Sequence, residues 1–360
     1  MLKRILSLVM LMVLYVTSIA YCESAEPSKK KIIVVSSYHR EYLWSQETNQ
    51  GLCAAMLKYG YFDNKDQIAE YTKNDKVETS KVIIKKMWMN MKKKKSPEEL
   101  ATLVTNISKE INDFKPNIIL LGDDDAAQYI GGQFLDTKIP IVFWGVNNTP
   151  VKYGLVDSEA SPGHNVTGVY QSGYYTESMD LLKKIAPKVK TFAILCDDTS
   201  SGRSHVKKVE HLYSKKDLAM ELVESVTVGN FEEWKRKALE LQKKVDAFFI
   251  AQYSGLMNEK GENVPAEEVA EWYINNIKIP EAAVQGQFVK QGMLCSADDS
   301  GYNQGFSAVD IAYDILNNGK DPKTYPPMTP KRGALMVSKK RGKILGITFT
   351  KEMGIEEYVE

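Results

Sequence analysis

Short apolar runs alternate with amphipathic helical stretches along nearly the whole chain, and this alternation is the strongest constraint on its fold. Strands separated by helices can be joined only by crossovers, so the pattern predicts βα units and mainly parallel sheets. The run Lys31 to Ser36 reads as a buried strand, and Gln46 to Tyr59 as a helix with Leu52, Ala55, Met56 and Tyr59 on one stripe, stopped by Gly60. Ser96-Pro97-Glu98-Glu99 is a capping box with proline at the first helical position, which predicts a helix running on to Phe114. Further strands are expected at Asn117–Leu121, Ile139–Trp144, Asn165–Tyr170, Thr191–Leu195, Met220–Val228, Asp246–Gln252, Pro280–Gln285 and Met293–Ser296. So many strands overfill one open sheet, and two lobes with a sheet each fit better. The Asn-, Pro-, Gly- and Ser-rich segment from Asn147 to Asn165 is the best candidate for a crossing between them.

Several classes of function are excluded early. With 360 residues, 47 basic against 46 acidic, the chain has no global field to hold nucleic acid or an anionic membrane. Lys3 and Arg4 precede an apolar run from Ile5 to Val16 and then Thr17, Ser18, Ile19 and Ala20, the order of a secretory signal over residues 1–20. No later stretch approaches the ~20 apolar residues of a membrane helix. The expected location is therefore periplasmic or otherwise extracytoplasmic. Lipid attachment at Cys22 ranks second, because bulky Tyr21 stands where a small residue is needed. Cys22, Cys53, Cys196 and Cys295 form no CxxC pair, and the last three sit in apolar runs as small hydrophobes, with any disulfide left open. Lys92 to Lys95 reads as a solvated loop or helix end.

Ligands of parallel sheets bind beyond the carboxyl ends of strands, so the residues following each strand carry the functional information. These are Tyr38, His39, Arg40, Tyr42, Trp44 and Gln46 after the first strand, and Asp123, Asp124 and Asp125 after the next clear one. Asn147, Tyr170 and Gln171, then Asp197, Asp198 and Ser200, then Gln252 and Tyr253 follow later strands. Aromatic walls with a few fixed polar groups make up a small-molecule pocket. Catalytic signatures are missing: there is no GxSxG elbow, HExxH, GxxxxGK[ST] or GxGxxG after a strand. His205 and His211 read as solvated, His164 lies in a turn, and His39 alone sits on a cleft loop without a nucleophile to activate. No enzyme, cofactor or metal is expected.

Several segments resemble one family. Ser37-Tyr38-His39 with Trp44, the run Asn117 to Ala127 and the run Ile139 to Asn148 are similar to the strand ends of type I periplasmic solute-binding proteins. They resemble in particular the ABC transporter substrate-binding branch, which is also used as sensor modules of histidine kinases. Gly154-Leu155, Pro162 to Val169, Phe288 to Gly292, Ile311 to Leu316 and the tail Lys343 to Thr348 continue the resemblance. It implies an α/β protein of two Rossmann-like lobes with parallel-rich sheets, joined by a three-segment hinge and closing on a ligand. Residues 31–148 and 288–322 would form lobe 1, and 165–286 and 329–360 lobe 2, with crossings near Asn148–Asn165, Gly286–Phe288 and Pro322–Thr329.

The implied function is capture of a small molecule and delivery to the permease and ATPase of an ABC transporter. The alternative is a sensing component that docks on a membrane histidine kinase. The candidate ligand residues are Tyr38, His39, Trp44, Gln46, Asp123, Asp124, Asn147, Tyr170, Gln171, Asp197, Ser200 and Tyr253. An amino acid or similar zwitterion is favoured, with Arg40 for its carboxylate and Asp123 or Asp197 for its ammonium. A neutral sugar held by Asn147, Gln171 and Gln252 stays open.

Overall fold

The computed structural model describes residues 28–360 except Lys94, Asn148, Thr149 and Glu159, so the signal reading and Cys22 lie outside the described residues. Strand β1 (Lys30–Ser36) turns Ile32 and Val34 to one face and Ile33 and Val35 to the other, and all four are buried. β4 (Ile118–Gly122) repeats the pattern with Ile118 and Leu120 against Ile119 and Leu121. Strands apolar on both faces must be covered on both faces, which is why parallel sheets carry helices on each side. The first sheet runs β2 (Lys76–Glu78), β3 (Val82–Trp88), β1, β4, β5 (Ile141–Val146), β6 (Val166–Tyr170), parallel except for the β2–β3 pair. Helices α1 (Leu43–Lys58), α2 (Lys65–Asn74) and α3 (Pro97–Phe114) follow its strands, and the capping box at Ser96 and Glu99 forms as expected.

The second sheet runs β13 (Glu357–Val359), β12 (Leu335–Ser338), β11 (Cys295–Ala297), β10 (Glu281–Ala283), β9 (Ala247–Gln252), β7 (Thr191–Cys196), β8 (Glu221–Thr227). Only its β11–β12 pair is antiparallel. Its helices are α4 (Tyr175–Ile185), α5 (Ser200–Ser214), α6 (Phe231–Leu241), α7 (Ala266–Asn276), α8 (Gly286–Lys290) and, after α9, α10 (Lys339–Ile344). Helix α9 (Gly301–Asn318) returns to the first lobe and crosses α1 at two glycines. A Cβ at Gly51 would stand 1.9 Å from the Tyr302 carbonyl oxygen, and one at Gly305 would stand 2.1 Å from that of Thr48, so only glycine allows the approach. Among the described residues no helix is long and apolar enough to cross a membrane.

Two borders differ from the sequence reading. β6, expected in the second lobe, pairs with β5 in the first sheet, because the 147–165 segment is an excursion that buries Leu155 and Val156 in the first lobe's core. Residues 288–297, expected in the first lobe, belong to the second sheet, where Phe288, Met293 and Leu294 join the core. The chain thus crosses at residues 171–174, 298–300 and 329–334. β3, which was not among the strands expected from the sequence, turns Val82, Ile84 and Lys86 inward.

A fully buried ion pair fastens α10 to the second sheet. Arg341 meets both carboxylate oxygens of Glu281 at 2.9–3.3 Å and donates to the carbonyls of Ile274, Ile277 and Ile279, while Glu281 also accepts from the Leu294 amide. Removing one partner strands the other charge in a dry interior. Arg341→Met is expected to cost about 3–5 kcal/mol in urea denaturation, whereas exposed pairs such as Lys109–Asp113 should each contribute under about 1 kcal/mol.

Candidate ligand-binding cleft

Each sheet has a point where successive connections run to opposite sides, and loops leaving such a point diverge into a crevice. In the first lobe it lies between β1 and β4, in the second between β7 and β9. Ser37 holds the first crevice in shape: its amide and hydroxyl both donate to the Gly122 carbonyl, and its oxygen accepts from the Ala126 amide at 2.8 Å. Asp123 follows in the left-handed region at φ 68°, buried, with its carboxylate accepting from the Trp44 indole at 2.7 Å. Burial drives its pKa well above the usual carboxylate range. Asp124 is spent on structure, accepting from the Asn147 amide and the Tyr153 hydroxyl.

The crevices meet around a cavity of about 390 Å³, within the range of small-molecule sites. The first lobe lines it with Tyr38, Met91, Lys92, Asp124 and Asp125. The second contributes Thr199, Ser200 and Ser201 at the start of α5, with Asp198, Gly255 and Met257. Lys92 is buried, its ammonium 4.4 Å from the Tyr38 ring centre and 4.9 Å from that of Tyr42. No carboxylate lies within ion-pairing distance of it among the described residues. Burial opposes its charge, yet Tyr42, Asp197, Asp123 and Asp125 outweigh that and hold its pKa above the ordinary lysine value. Asp125, half-buried, has its pKa pushed up to about 6 by burial and then by Asp124. The cavity thus holds an unpaired cation and an unpaired acid between aromatic rings and thioethers.

Of the residues named from sequence, Tyr38, Asp124 and Ser200 line this cavity. Asn147 and Gln171 bond to each other at 2.9 Å beside it, with Tyr170 next in the chain, and the Asn147 carbonyl accepts from Ser204 across the lobes. Trp44 and Asp123 are buried supports beneath the first-lobe wall. His39 packs on the Tyr42 ring. Three others are engaged elsewhere. Gln46 is exposed, donates to the Glu41 carbonyl and borders a different depression. Asp197 closes its own loop onto Thr199 and the Gly255 amide, because a buried carboxylate takes the nearest N–H donors. Tyr253 sits in the second core against Phe288 and donates to Gln291. Arg40, expected to meet a carboxylate ligand, pairs with Asp75 on the far side of its loop. His205 is buried rather than solvated, hydrogen-bonded to Tyr175 at 2.8 Å, and burial lowers its pKa to about 3.

Lys92 was missed because nothing in a run of four lysines marks it as turned inward. Gln304 was missed because a glutamine inside an amphipathic helix carries no signal. It is fully buried, accepts from the Gly145 amide and donates to the Tyr170 carbonyl and Asp299, tying strand ends to the hinge. The lobes touch where α8 meets the start of α1, through Gln287 to the Tyr42 hydroxyl at 3.2 Å and Lys290 to Glu47 at 2.5 Å. Among the described residues no group of three or more His, Cys, Asp or Glu side chains could hold a metal ion.

Comparison with known proteins sets this geometry in context. The profile of a family described as ABC transporter substrate binding protein matches residues 58–357. The chain is 26% identical over 233 residues to a tyrosine-binding protein of Clostridioides difficile strain R20291, a match that spans 64% of this chain and 63% of the relative. An ABC domain from Streptococcus pneumonia, solved in complex with L-Trp, superposes with a TM-score of 0.69 at 19% identity, covering 92% of this chain and all of that one. A ligand-free, open substrate binding protein with adhesive properties from Clostridium difficile gives a TM-score of 0.66 at 22% identity, covering 92% and 99%. At these identities the superpositions establish the two-lobed fold.

The Trp44–Asp123 contact generates a test of how the cleft wall is held. Trp44→Phe leaves a buried carboxyl without its donor and is expected to cost about 1–3 kcal/mol in chemical denaturation. Because the Trp44 ring does not line the cavity, ligand affinity in calorimetry should stay close to that of the parent.

Proposed function

Because the chain belongs to the ABC transporter substrate-binding protein family, whose members are solute-binding proteins rather than enzymes, we propose that it captures an aromatic α-amino acid between its lobes and delivers it to an ABC transporter. The observation that carries this reading is the presence of two opposite charges, Lys92 and Asp125, neither ion-paired among the described residues, in one cavity walled by the Tyr38 ring and two thioethers. Lys92 keeps its charge at the cavity wall with no carboxylate in ion-pairing distance among the described residues, so a ligand carboxylate can bond to it directly in a partly desolvated site. The hydroxyls of Ser200 and Ser201 stand on the facing, second-lobe wall to share the carboxylate, and Asp125 is placed beside Lys92 on the first-lobe wall to meet the ligand ammonium. Tyr38 offers a ring, and Met91 and Met257 soft sulfur, to an aromatic side chain. A neutral sugar would leave both charges unanswered, which disfavours it. The C. difficile relative named for tyrosine and the pneumococcal domain holding L-Trp support the same class of ligand.

Capture by closure presents one surface when liganded and another when empty, the form in which a receptor reports to a membrane partner. The family's description names a transporter, so we take the permease and ATPase as partners in preference to a sensor kinase. Export by the segment 1–20 would place the protein outside the cytoplasmic membrane, where such a permease collects its cargo.

Calorimetry against tyrosine, tryptophan, phenylalanine, ribose and glucose is the test. Micromolar or tighter binding of an aromatic amino acid is expected, and sugar binding with amino acids silent overturns the reading. Lys92→Met removes a charge-assisted contact of about 1.5–3 kcal/mol, a loss of roughly 10- to 150-fold; unchanged affinity would remove Lys92 from the site. The pH dependence has a definite sign. Asp125 has a raised pKa of about 6 in the empty protein and must give up its proton to meet an ammonium. Affinity should therefore be constant above that value and fall as the pH drops below it, and Asp125→Asn should abolish the dependence.

A further inference from the structure

Outside the inter-lobe cleft, a second cavity of about 350 Å³ opens between α1, α2 and β3 in the first lobe. Three residues on its wall carry buried polar atoms with no hydrogen-bond partner: Ser45 Oγ, Tyr71 OH and Trp88 Nε1. Buried polar groups are nearly always satisfied, so three orphans around one cavity call for an occupant. All three can donate, and the indole can only donate, so that occupant must be rich in acceptors.

The charges around the cavity fix its sign. Arg40 lines the wall but is neutralised by Asp75 and also donates to the Lys73 carbonyl. Lys86 has no such counter-charge. It is 4% exposed, donates to Asn49 Oδ1 at 2.9 Å and lies 4.0 Å from the Trp88 ring centre, and both of those residues line the cavity. Among the described residues no carboxylate reaches ion-pairing distance of it. Arg40 and Lys86 against Asp75 leave one uncompensated positive charge. Burial lowers the Lys86 pKa only to about 8, so the ammonium persists at neutral pH. Burial raises the Tyr71 pKa well above its ordinary value, so its hydroxyl stays a donor. Gln46, Gln50 and Thr72 complete the wall beside an apolar part made by Ile68, Cys53 and the faces of the two aromatic rings.

We propose that this cavity is a second ligand site, for a small monocarboxylate. The carboxylate oxygens accept from Trp88 Nε1, Tyr71 and Ser45 in the field of Lys86, and the short carbon body packs on Ile68 and Cys53. A single negative charge matches the single uncompensated cation. The apolar part of the wall, Ile68, Cys53 and the two ring faces, suits a carbon skeleton better than a symmetric inorganic oxyanion. The site does not depend on the amino acid reading of the cleft, since Lys92, Asp125 and the serines of α5 take no part in it.

The test uses acetate, lactate and benzoate as probes, with inorganic phosphate as the competing oxyanion and chloride as control. Crystals grown with each probe are expected to show the carboxylate within about 3.2 Å of Trp88 Nε1 or Tyr71 OH. Calorimetry should show binding that weakens by about tenfold or more in Lys86→Met and in Tyr71→Phe, and stays unchanged in Lys92→Met. Both cavity variants keep the side-chain volume; the first removes a buried charge, and far-ultraviolet dichroism verifies that each is folded. Ordered waters alone in the cavity, occupancy by phosphate only, or equal affinity in Lys86→Met would each overturn the proposal. Because Lys92→Met disables the cleft alone, loss of either site is distinguishable from loss of the other.

Discussion

The three chain crossings between the lobes are stitched together by two consecutive aspartates, and the cleft depends on that knot. Asp298 exchanges backbone hydrogen bonds with the third crossing, through Gly333 and Ala334, and its side chain accepts from the Gly286 amide. Asp299 accepts from Gly173 in the first crossing and from Gln304 at the start of α9. Gln304 in turn fixes the ends of β5 and β6. A hinge built this way can bend only where the crossings run together, so the lobes move as bodies and the strand-end loops keep their shapes. Burial pushes the pKa of Asp298 up to about 7 and that of Asp299 up to about 6, because the knot places both carboxyls in a dry interior.

Buried charge is handled in two opposite ways. Arg341 and Glu281 satisfy one another and every neighbouring carbonyl and amide they can reach, which suits a pair whose task is to hold α10 in place. Lys92 and Asp125 face a cavity, and each lacks a counter-ion of its own among the described residues. Both arrangements desolvate charge, but only the second leaves electrostatic energy for something that arrives later. The same contrast separates Arg40, paired with Asp75, from Lys86, which has only a neutral amide and a ring.

The legible part of the fold was the part written in periodicity. Strands apolar on both faces, such as Ile32 to Val35, and helices with explicit caps, such as the one opened by Ser96, announce themselves locally. The lobe borders did not, because whether β6 joins the first or second sheet is decided by where Leu155 and Val156 find a core, a tertiary question. The strand-end rule led to loops that meet around one cavity and named Tyr38, Asp124 and Ser200 on them. It could not tell side chains that face the cavity from those that brace the loop, since Asp124, Asp197 and Trp44 are polar groups at strand ends in either role. Lys92 is the sharper case: one of four adjacent lysines turns inward because the tyrosine faces of the opposite loop accept it, a partner 50 residues distant in sequence.

Closure itself can be argued from the contacts that cross the cleft. At its edges these are the Lys290–Glu47 pair, half-exposed on the lysine side, the bond from Gln287 to Tyr42, and a long one from Ser204 to Asn147 at 3.4 Å. Half-exposed pairs and long hydrogen bonds contribute little, under about 1 kcal/mol apiece. Closure also brings Lys92 and Asp197 into each other's field, which favours the ammonium, while burial of the same charge opposes it. The empty protein therefore gains little by closing. A ligand that bridges the walls shifts the equilibrium by its differential affinity for the closed state, and about 5.5 kcal/mol suffices to move a population from 1:99 to 99:1. On the proposed reading, a zwitterion is suited to supply it, because with its charges answering Lys92 and Asp125 on the first-lobe wall it reaches the Ser200 and Ser201 hydroxyls of the second lobe only when the walls meet.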